Sequence, residues 1–198
     1  DAETLDRLTN TIVQQVETMK DMVNSFSNYA RPPTLESAPT DINKLIREVA
    51  DLYSGDDVIN IETSLTAELP PVDIDARRMR QVFNNLIKNA IDASPDNSVI
   101  LISSTRISER NVESIEIRIR DSGSGIADNM QDQMFDPYVT NKTKGTGLGL
   151  AITKRIVEEH GGMVWLENND PGPGACACIR LPLGQSVPEP LADMSKTG

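Results

Sequence analysis

The chain has 198 residues, a length that fits one domain of ordinary size with an appendage. Its 30 acidic and 19 basic residues give a formal net charge of −11, which disfavours a nucleic-acid partner because phosphate backbones are repelled. No apolar run approaches the roughly 18 residues that a membrane span needs. We therefore expect a soluble chain, which can still be a part of a larger membrane protein.

Residues 3–30 are predicted to form one long helix, because apolar residues recur in two interleaved sets at a spacing of seven. The stripe consists of Leu5, Leu8, Ile12, Met19, Met22, Phe26 and Tyr29, is interrupted at Gln15, and is widened by Val13, Val16 and Val23. A stripe of this width favours a helical bundle over a two-stranded coiled coil. Arg31-Pro32-Pro33 ends the helix, since proline lacks the N–H that a helix needs.

From Asp41 onwards, predicted helices alternate with short strands. Asp41 and Asp75 are placed to cap the first two helices, and a third helix is predicted over 149–160. The predicted strands cover residues 59–65, 99–105, 115–121, 163–167 and 176–181. This alternation predicts an α+β fold, a two-layer α/β sandwich with a mixed sheet and helices on one face.

The second predicted helix carries the first candidate site. Asn85 and Asn89 are four residues apart and lie on one helical face. Asparagine is a poor helix former, so a pair within an apolar helix calls for a reason. A carboxamide oxygen is a hard, neutral ligand that suits Mg²⁺ together with phosphate oxygens. A solvent-facing asparagine pair is the alternative.

A second candidate, Asp121-Ser122-Gly123-Ser124-Gly125, directly follows a predicted strand. Its glycines let the backbone turn sharply and let a flat ligand approach closely. The aspartate can accept a hydrogen bond from an exocyclic amine such as that of adenine. An ordinary Asp-Gly turn is the alternative.

Residues 140–150 form a glycine-rich segment just before the third predicted helix. Its glycines are Gly145, Gly147 and Gly149. Such a segment presents N–H groups to an anion, and Lys142 and Lys144 add positive charge. The pattern is neither a P-loop nor a dinucleotide fingerprint, and a flexible linker is the alternative. Upstream, Phe135-Asp136-Pro137-Tyr138 marks a loop with an aromatic anchor.

In this order, the four motifs resemble the N, G1, F and G2 boxes of the histidine kinase catalytic domain. That domain belongs to an ATPase superfamily shared with DNA gyrase, Hsp90 and MutL. The resemblance covers roughly residues 41–182 and implies the Bergerat-type ATP-binding fold, with ATP and Mg²⁺ as cofactors.

The resemblance also implies a role for each residue. Asn89 would ligate Mg²⁺, Asn85 would support the metal and the phosphates, and Lys142 would join them as a catalytic residue. Asp121 would hydrogen-bond the adenine amine. The other nucleotide-binding residues would be Gly123, Gly125 and Ile126 near the adenine, Phe135 and Tyr138 as lid anchors, and Lys142, Lys144, Gly145, Thr146, Gly147, Leu148 and Gly149 in the lid.

Two positions depart from the family pattern. Asp92 stands where many relatives carry a basic residue, so phosphate neutralisation would depend more on the metal and the lid lysines. Ala175-Cys176-Ala177 replaces a frequent threonine and aromatic pair, and its cysteine is expected, like Cys178, to be a small buried side chain on one strand face. The only histidine, His160, matches a helix-ending stretch of the family and is predicted to be structural.

The N-terminal helix resembles the second helix of the family's dimerisation and phosphotransfer bundle. Its length and its Tyr-Ala-Arg-Pro ending resemble the nitrogen-regulation sensors of the NtrY group. The predicted segments are therefore a bundle helix over 1–31, a linker over 32–40, a catalytic ATP-binding domain over 41–183 and a polar tail over 184–198.

These resemblances imply a kinase that transfers the ATP γ-phosphoryl group to a bundle histidine outside this chain, and thence to an aspartate of a response regulator receiver domain. The expected context is a bundle-mediated homodimer in the cytoplasmic part of a protein anchored in the bacterial inner membrane. One alternative is an ATP-hydrolysing clamp, but those relatives carry a glutamate as general base where this chain has Asn85. A dimer-forming scaffold with a dead nucleotide site is another alternative.

Overall fold

The computed structural model describes residues 34–53, 59–127, 130, 133–139 and 147–184, together with six residues near the N-terminus. Those six are Arg7, Thr9, Ile12, Val13, Val16 and Met19, and all are helical and exposed. The remaining predictions for the N-terminal helix, and those for lid residues 140–146 and for 185–198, lie outside the described residues. Of the helices that are described, none has the length and hydrophobicity needed to cross a bilayer.

Within the described residues from 38 to 182, three helices and seven strands follow one another. The helices are α1 (Ile42–Ala50), α2 (Ala76–Ala93) and α3 (Gly149–Glu159), with a short 3-10 helix at Asp51–Tyr53. The strands are β1 (Ala38–Thr40), β2 (Ile59–Leu65), β3 (Val72–Ile74), β4 (Ser98–Glu109), β5 (Val112–Arg120), β6 (Met163–Asn168) and β7 (Ala175–Pro182).

Five strands form the main sheet in the order β2-β4-β5-β7-β6. The β2–β4 pair is parallel and the other pairs are antiparallel, so the sheet is mixed. Apolar residues of alternate positions pack against the helices, including Ile102, Ile117 and Ile179. The predicted two-layer sandwich with a mixed sheet is thus confirmed.

The short strands β1 and β3 form a separate antiparallel pair that the sequence did not predict. Three residues are too few to show the alternation on which strand prediction depends. The Glu36 N–H also donates to Asp75 Oδ2 at 3.3 Å. The end of the predicted linker is therefore paired with β3, while the proposed boundary at residue 40 stays a prediction.

Both predicted helix caps are confirmed. Asp41 Oδ1 accepts from the Lys44 N–H at 3.0 Å, and Asp75 Oδ1 accepts from the Arg78 N–H at 3.1 Å. Burial by itself would raise the pKa of Asp75, but the N–H groups of Arg78 and Glu36 outweigh it and hold that pKa below its ordinary value.

His160 joins the start of α2 to the end of α3. Its Nε2 accepts from the Asp75 N–H at 2.9 Å, and its Nδ1 lies 2.7 Å from the Ile156 carbonyl oxygen, to which it donates. An ion pair between Arg78 and Glu159 joins the same two helix ends. Both ring nitrogens are engaged within the fold, which supports the prediction that His160 is structural.

Candidate nucleotide-binding site

The asparagine pair of α2 faces the start of α3. Asn85 and Asn89 are half-buried on one side of the helix. Asn85 Nδ2 donates to the Gly149 carbonyl at 3.3 Å, which turns the Asn85 Oδ1 oxygen away from that carbonyl. The neighbouring Asn84 points elsewhere and accepts from the Tyr53 hydroxyl at 3.2 Å. The fold thus brings the first motif against the end of the glycine-rich motif.

Asp121 lies at the end of β5 with its carboxylate held in one orientation. Its Oδ1 accepts from the Gly123 N–H at 2.8 Å and from the Ala175 N–H at 3.0 Å. Its own N–H donates to the Ala175 carbonyl at 2.9 Å. Both carboxylate contacts made by described residues end on Oδ1, so the geometry offers Oδ2 as an acceptor for a ligand amine.

Two glycines allow the backbone around Asp121 to close tightly. A Cβ at Gly123 would lie 2.5 Å from the Ala93 carbonyl oxygen, where α2 ends. A Cβ at Gly174 would lie 2.2 Å from the Asp121 carbonyl oxygen, and Gly174 also has a φ of +92°. Side chains longer than hydrogen would push the loop away from the strand end, so glycine is required at both positions.

Two asparagines that the sequence analysis missed hold this loop in place. Asn168 Oδ1 accepts from the Ile126 N–H at 2.7 Å, and Asn168 Nδ2 donates to the Ile126 carbonyl at 3.0 Å. Asn169 Nδ2 donates to the carbonyls of Asp121 and Pro173, each at 2.8 Å. The Asn-Asn pair before a Pro-Gly-rich turn was the only signal, because its partners Ile126 and Asp121 lie more than 40 residues away.

Contacts with Asn168 also fix the positions of Gly125 and Ile126. Gly125 has a φ of +77°, and a Cβ there would lie 2.7 Å from Asn168 Oδ1. The backbone of Ile126 is paired with the Asn168 amide at both its N–H and its carbonyl. The predicted pocket residues near the adenine therefore form one loop, attached at Asp121 and again at Asn168.

A backbone hydrogen bond joins the two ends of the predicted lid. The Tyr138 N–H donates to the Gly147 carbonyl at 2.9 Å, and both residues have left-handed φ values, +69° and +67°. The Tyr138 side chain is 65% exposed, so this residue contacts the other end through its backbone rather than through its ring. Phe135 is half-buried, with Lys154 Nζ 5.9 Å from its ring centroid.

The remaining lid residues divide into two groups. Lys142, Lys144, Gly145 and Thr146 lie outside the described residues, so their predicted phosphate contacts stay predictions. Leu148 is buried in the hydrophobic core at 2% exposure, which anchors the segment where α3 begins. Gly149 begins α3, and a Cβ there would meet nothing closer than Asn85 Cγ at 4.0 Å.

The structure describes both positions that depart from the family pattern. Asp92 is exposed near the end of α2. Burial of the Tyr53 hydroxyl and, less strongly, the negative charge of Asp92 raise the pKa of Tyr53. Cys176 and Cys178 are both buried on one face of β7, as predicted.

The fold and the site define a nucleotide-binding α/β sandwich, and comparison with known proteins identifies its family. Residues 74–185 match the family described as histidine kinase-, DNA gyrase B- and HSP90-like ATPase. The match covers more than half of the chain and includes Asn85, Asn89, Asp121 and the glycine-rich segment. The chain belongs to this family.

Among curated proteins, the nitrogen regulation protein NtrY of Azorhizobium caulinodans is 37% identical over 199 residues, which cover 96% of this chain and 25% of NtrY. The sensor histidine kinase ZraS of Escherichia coli K12 is 32% identical over 187 residues, which cover 93% of this chain and 39% of ZraS. The chain thus spans well under half the length of these relatives.

Solved structures show the same fold. The catalytic domain of the histidine kinase ThkA is 33% identical, with a TM-score of 0.67 over 75% of this chain and 96% of that domain. ThkA in complex with the response regulator TrrA has a TM-score of 0.76 at 29% identity, covering 92% of this chain and 52% of that chain. Full-length ShkA in complex with AMPPNP has a TM-score of 0.74 at 27% identity, covering 88% of this chain and 38% of that chain.

Proposed function

We propose that this chain is the ATP-binding catalytic domain of a sensor histidine kinase. It transfers the γ-phosphoryl group of ATP to a histidine on a bundle helix outside this chain, from which the group passes to an aspartate of a response regulator. ZraS is a sensor histidine kinase and ThkA is a histidine kinase, and ThkA was solved in complex with the response regulator TrrA.

The observation that favours transfer over hydrolysis is that residue 85 is an asparagine. An ATP-hydrolysing clamp needs a carboxylate near the metal ligand to take a proton from the attacking water. Here a carboxamide occupies that position, and its Nδ2 donates to the Gly149 carbonyl. A carboxamide has no basic site for that proton, so water is poorly activated and the phosphoryl group is preserved for an imidazole.

The arrangement of α2 fits Mg²⁺. The Asn85 and Asn89 carboxamides lie one turn apart and are half-buried, and the Asn85 hydrogen bond leaves its oxygen available as a hard ligand. A bound Mg²⁺ would neutralise phosphate charge during transfer. Asp121 would orient the base through Oδ2, and Lys142 and Lys144 of the lid would add positive charge near the phosphates and help to exclude water.

The acceptor histidine is proposed to lie outside this chain. His160 uses both ring nitrogens in contacts between α2 and α3, so it is poorly placed to attack a phosphoryl group. Ile12 and Met19 of the N-terminal helix are 63% and 66% exposed, and partner helices of a homodimeric bundle would cover them. We further propose that the full protein acts at the cytoplasmic side of the bacterial inner membrane, in nitrogen regulation as NtrY's name states.

Phosphoryl transfer in trans tests the proposal. The chain would be mixed with labelled Mg-ATP and a separately produced bundle that carries an acceptor histidine. We expect acid-labile, alkali-stable label on the bundle and none on His160. Phosphate release without transfer would instead support a clamp ATPase, and failure to bind Mg-ATP at about millimolar concentration would support a dead scaffold.

Asn89→Ala tests the metal role within the same site. We expect loss of the Mg²⁺-dependent part of ATP affinity in a calorimetric titration, because the chain loses a direct oxygen ligand. Asn84→Ala is the matched control, since Asn84 is engaged with Tyr53 and lies off the Asn85–Asn89 face. Equal affinity in the two variants, with and without Mg²⁺, would contradict the proposed ligand.

A further inference from the structure

A second cluster of chemically active side chains lies on the face of the main sheet that the helices do not cover. Cys176 and Cys178 alternate along β7 with the core residues Ala177 and Ile179, so their side chains project to the opposite face. Both cysteines are 0% exposed, although they lie outside the helix-covered core, and their sulfur atoms are 3.4 Å apart. Other side chains on the open face of the sheet therefore cover the two cysteines.

The cover consists of charged and aromatic side chains from the two neighbouring strands. Cys176 is paired in register with Arg120 of β5 and Glu167 of β6, and Cys178 is paired with Arg118 and Trp165. An ion pair between Arg118 and Glu167 spans β7 above the two sulfurs. Trp165 Nε1 donates to Glu167 Oε2 at 3.1 Å.

The cluster contains donors that lack an acceptor. In the described part of the chain, the Nε atoms of Arg118 and Arg120 are buried without a hydrogen-bond partner. A buried unpaired donor costs about 1–3 kcal/mol, so the arrangement favours additional negative charge beside the guanidinium groups. Deprotonated Cys176 and Cys178 would supply that charge, and two adjacent thiolates would in turn require a cation between them.

The ligand atoms are spaced for such a cation. One oxygen of Glu167 and the two sulfurs all lie within 4.8 Å of one another. A tetrahedral Zn²⁺ with bonds of about 2.3 Å to sulfur places two sulfurs about 3.8 Å apart, close to the distance already present. A disulfide would need the two Cβ atoms about 3.8 Å apart, which two same-face residues of an inner strand reach only by distorting the backbone.

We propose that Cys176, Cys178 and Glu167 form a binding site for a thiophilic divalent cation of the Zn²⁺ type. Two thiolates and one carboxylate carry three negative charges, so the ion and the Arg118 guanidinium together neutralise them. The contacts from Trp165 and Arg118 to Glu167 act as the outer hydrogen bonds that orient a ligating carboxylate. Each bound thiol releases its proton to solvent as the metal–sulfur bond forms.

The site would affect the nucleotide pocket through the strand that carries it. Cys176 directly follows Ala175, whose N–H and carbonyl both bond to Asp121. An ion that joins β6 to β7 would stabilise the strand ends that hold the adenine acceptor. The proposal stands independently of the kinase activity, because it concerns metal binding alone.

Titration of the reduced chain with Co²⁺ and Zn²⁺ tests the site. We expect one Co²⁺ per chain with thiolate-to-metal charge-transfer absorption, displaced by Zn²⁺. Cys176→Ser and Cys178→Ser should each weaken Zn²⁺ binding by about 100-fold or more, and Trp165→Phe by about 10-fold through the loss of the donor to Glu167. Glu62→Gln, which removes an exposed carboxylate outside the cluster, should leave the affinity unchanged.

The wild-type chain offers a second measurement that needs no variant to fold. Zn²⁺ should slow alkylation of both cysteines, and mass spectrometry of the two-cysteine peptide should show joint protection. Alkylation rates unaffected by Zn²⁺ would overturn the proposal. Zn²⁺ binding that survives in the Cys176→Ser/Cys178→Ser double variant would also overturn it. A preference for monovalent copper, bound by the two sulfurs without Glu167, would overturn it as well.

Discussion

The two ends of the candidate nucleotide site are held in different ways. At the adenine end, the carboxylate of Asp121 is fixed by two N–H groups, and the following loop is attached again through the Asn168 amide. At the phosphate end, Asn85 makes a longer contact of 3.3 Å to Gly149. Among the described residues, a backbone hydrogen bond between Tyr138 and Gly147 joins the two ends of the predicted lid.

The two ends of the site therefore have different requirements for rigidity. A carboxylate whose orientation is set before a ligand arrives can bind a base at low entropic cost, which is the role proposed for Asp121. The phosphate end must instead admit a metal, a triphosphate and an incoming imidazole, and there the Asn85 carboxamide oxygen faces away from the Gly149 carbonyl. Substitutions that disturb the backbone at the adenine end should therefore affect folding and binding together, whereas those at the phosphate end should affect stability less.

The largest expected effect is that of Gly174→Ala. The added Cβ would lie 2.2 Å from the Asp121 carbonyl oxygen at a φ of +92°. We expect a loss of about 3 kcal/mol in the free energy of unfolding and a parallel loss of ATP affinity. Chemical denaturation measures the first effect. Gly172→Ala is the control, because Gly172 also has a left-handed φ but its Cβ would meet nothing within 4 Å; equal losses would refute the contact argument.

Asp121→Asn should weaken nucleotide binding with little change in folding. The asparagine oxygen can keep the bonds from Gly123 and Ala175, while its NH₂ group replaces the Oδ2 acceptor. We expect ATP affinity to fall by about 2 kcal/mol, roughly 30-fold, as measured by calorimetry. Unfolding of the variant under native conditions would show instead that Asp121 is chiefly structural.

Gly147→Ala tests the closure at the ends of the lid. A Cβ there would lie 2.5 Å from the Tyr138 carbonyl carbon at a φ of +67°, and we expect a loss of about 1.5 kcal/mol in stability. The matched variant Gly149→Ala meets nothing closer than 4.0 Å and should be neutral or slightly stabilising at a helix start. A ranking of the two variants in the opposite order in thermal unfolding would contradict this description.

The smallest effect concerns acid stability away from the site. The pKa of Asp75 is lowered in the folded chain, so its ionised form stabilises the fold above its unfolded pKa of about 4 and loses this effect as pH falls through the folded pKa. Asp75→Asn keeps the helix cap but cannot ionise. In denaturation curves recorded from neutral to acid pH, we expect the variant to be less stable near neutral pH and the difference from the wild-type chain to shrink as pH falls below about 4.

The structure agrees with the sequence where the signal is local. Asp41 and Asp75 cap their helices as predicted, because a cap depends on residues three positions apart. The strand predicted over 59–65 has those bounds, since its alternation is contained within it. The strands β1 and β3 were missed because each is too short to carry a pattern, and their pairing joins residues that are distant along the chain.

The candidate site shows the same limit. Asn85, Asn89, Asp121 and the glycines could be identified because each motif is a short run with its own chemistry. Asn168 could not, because its role depends on Ile126, 42 residues earlier in the sequence. The surroundings of Cys176 likewise come from β5 and β6, so the sequence predicted only that it is small and buried.

The sequence by itself determined the class of this protein, since the order of four local motifs and the helix caps are readable without knowing what they contact. Only the tertiary structure decided how the site is held: Asp121 against Ala175, Asn85 against Gly149, and Tyr138 against Gly147. It also decided that the two cysteines face away from the core, beneath Arg118 and Glu167. The reason is physical, because these contacts depend on strand order and register, which bring together segments that no local pattern relates.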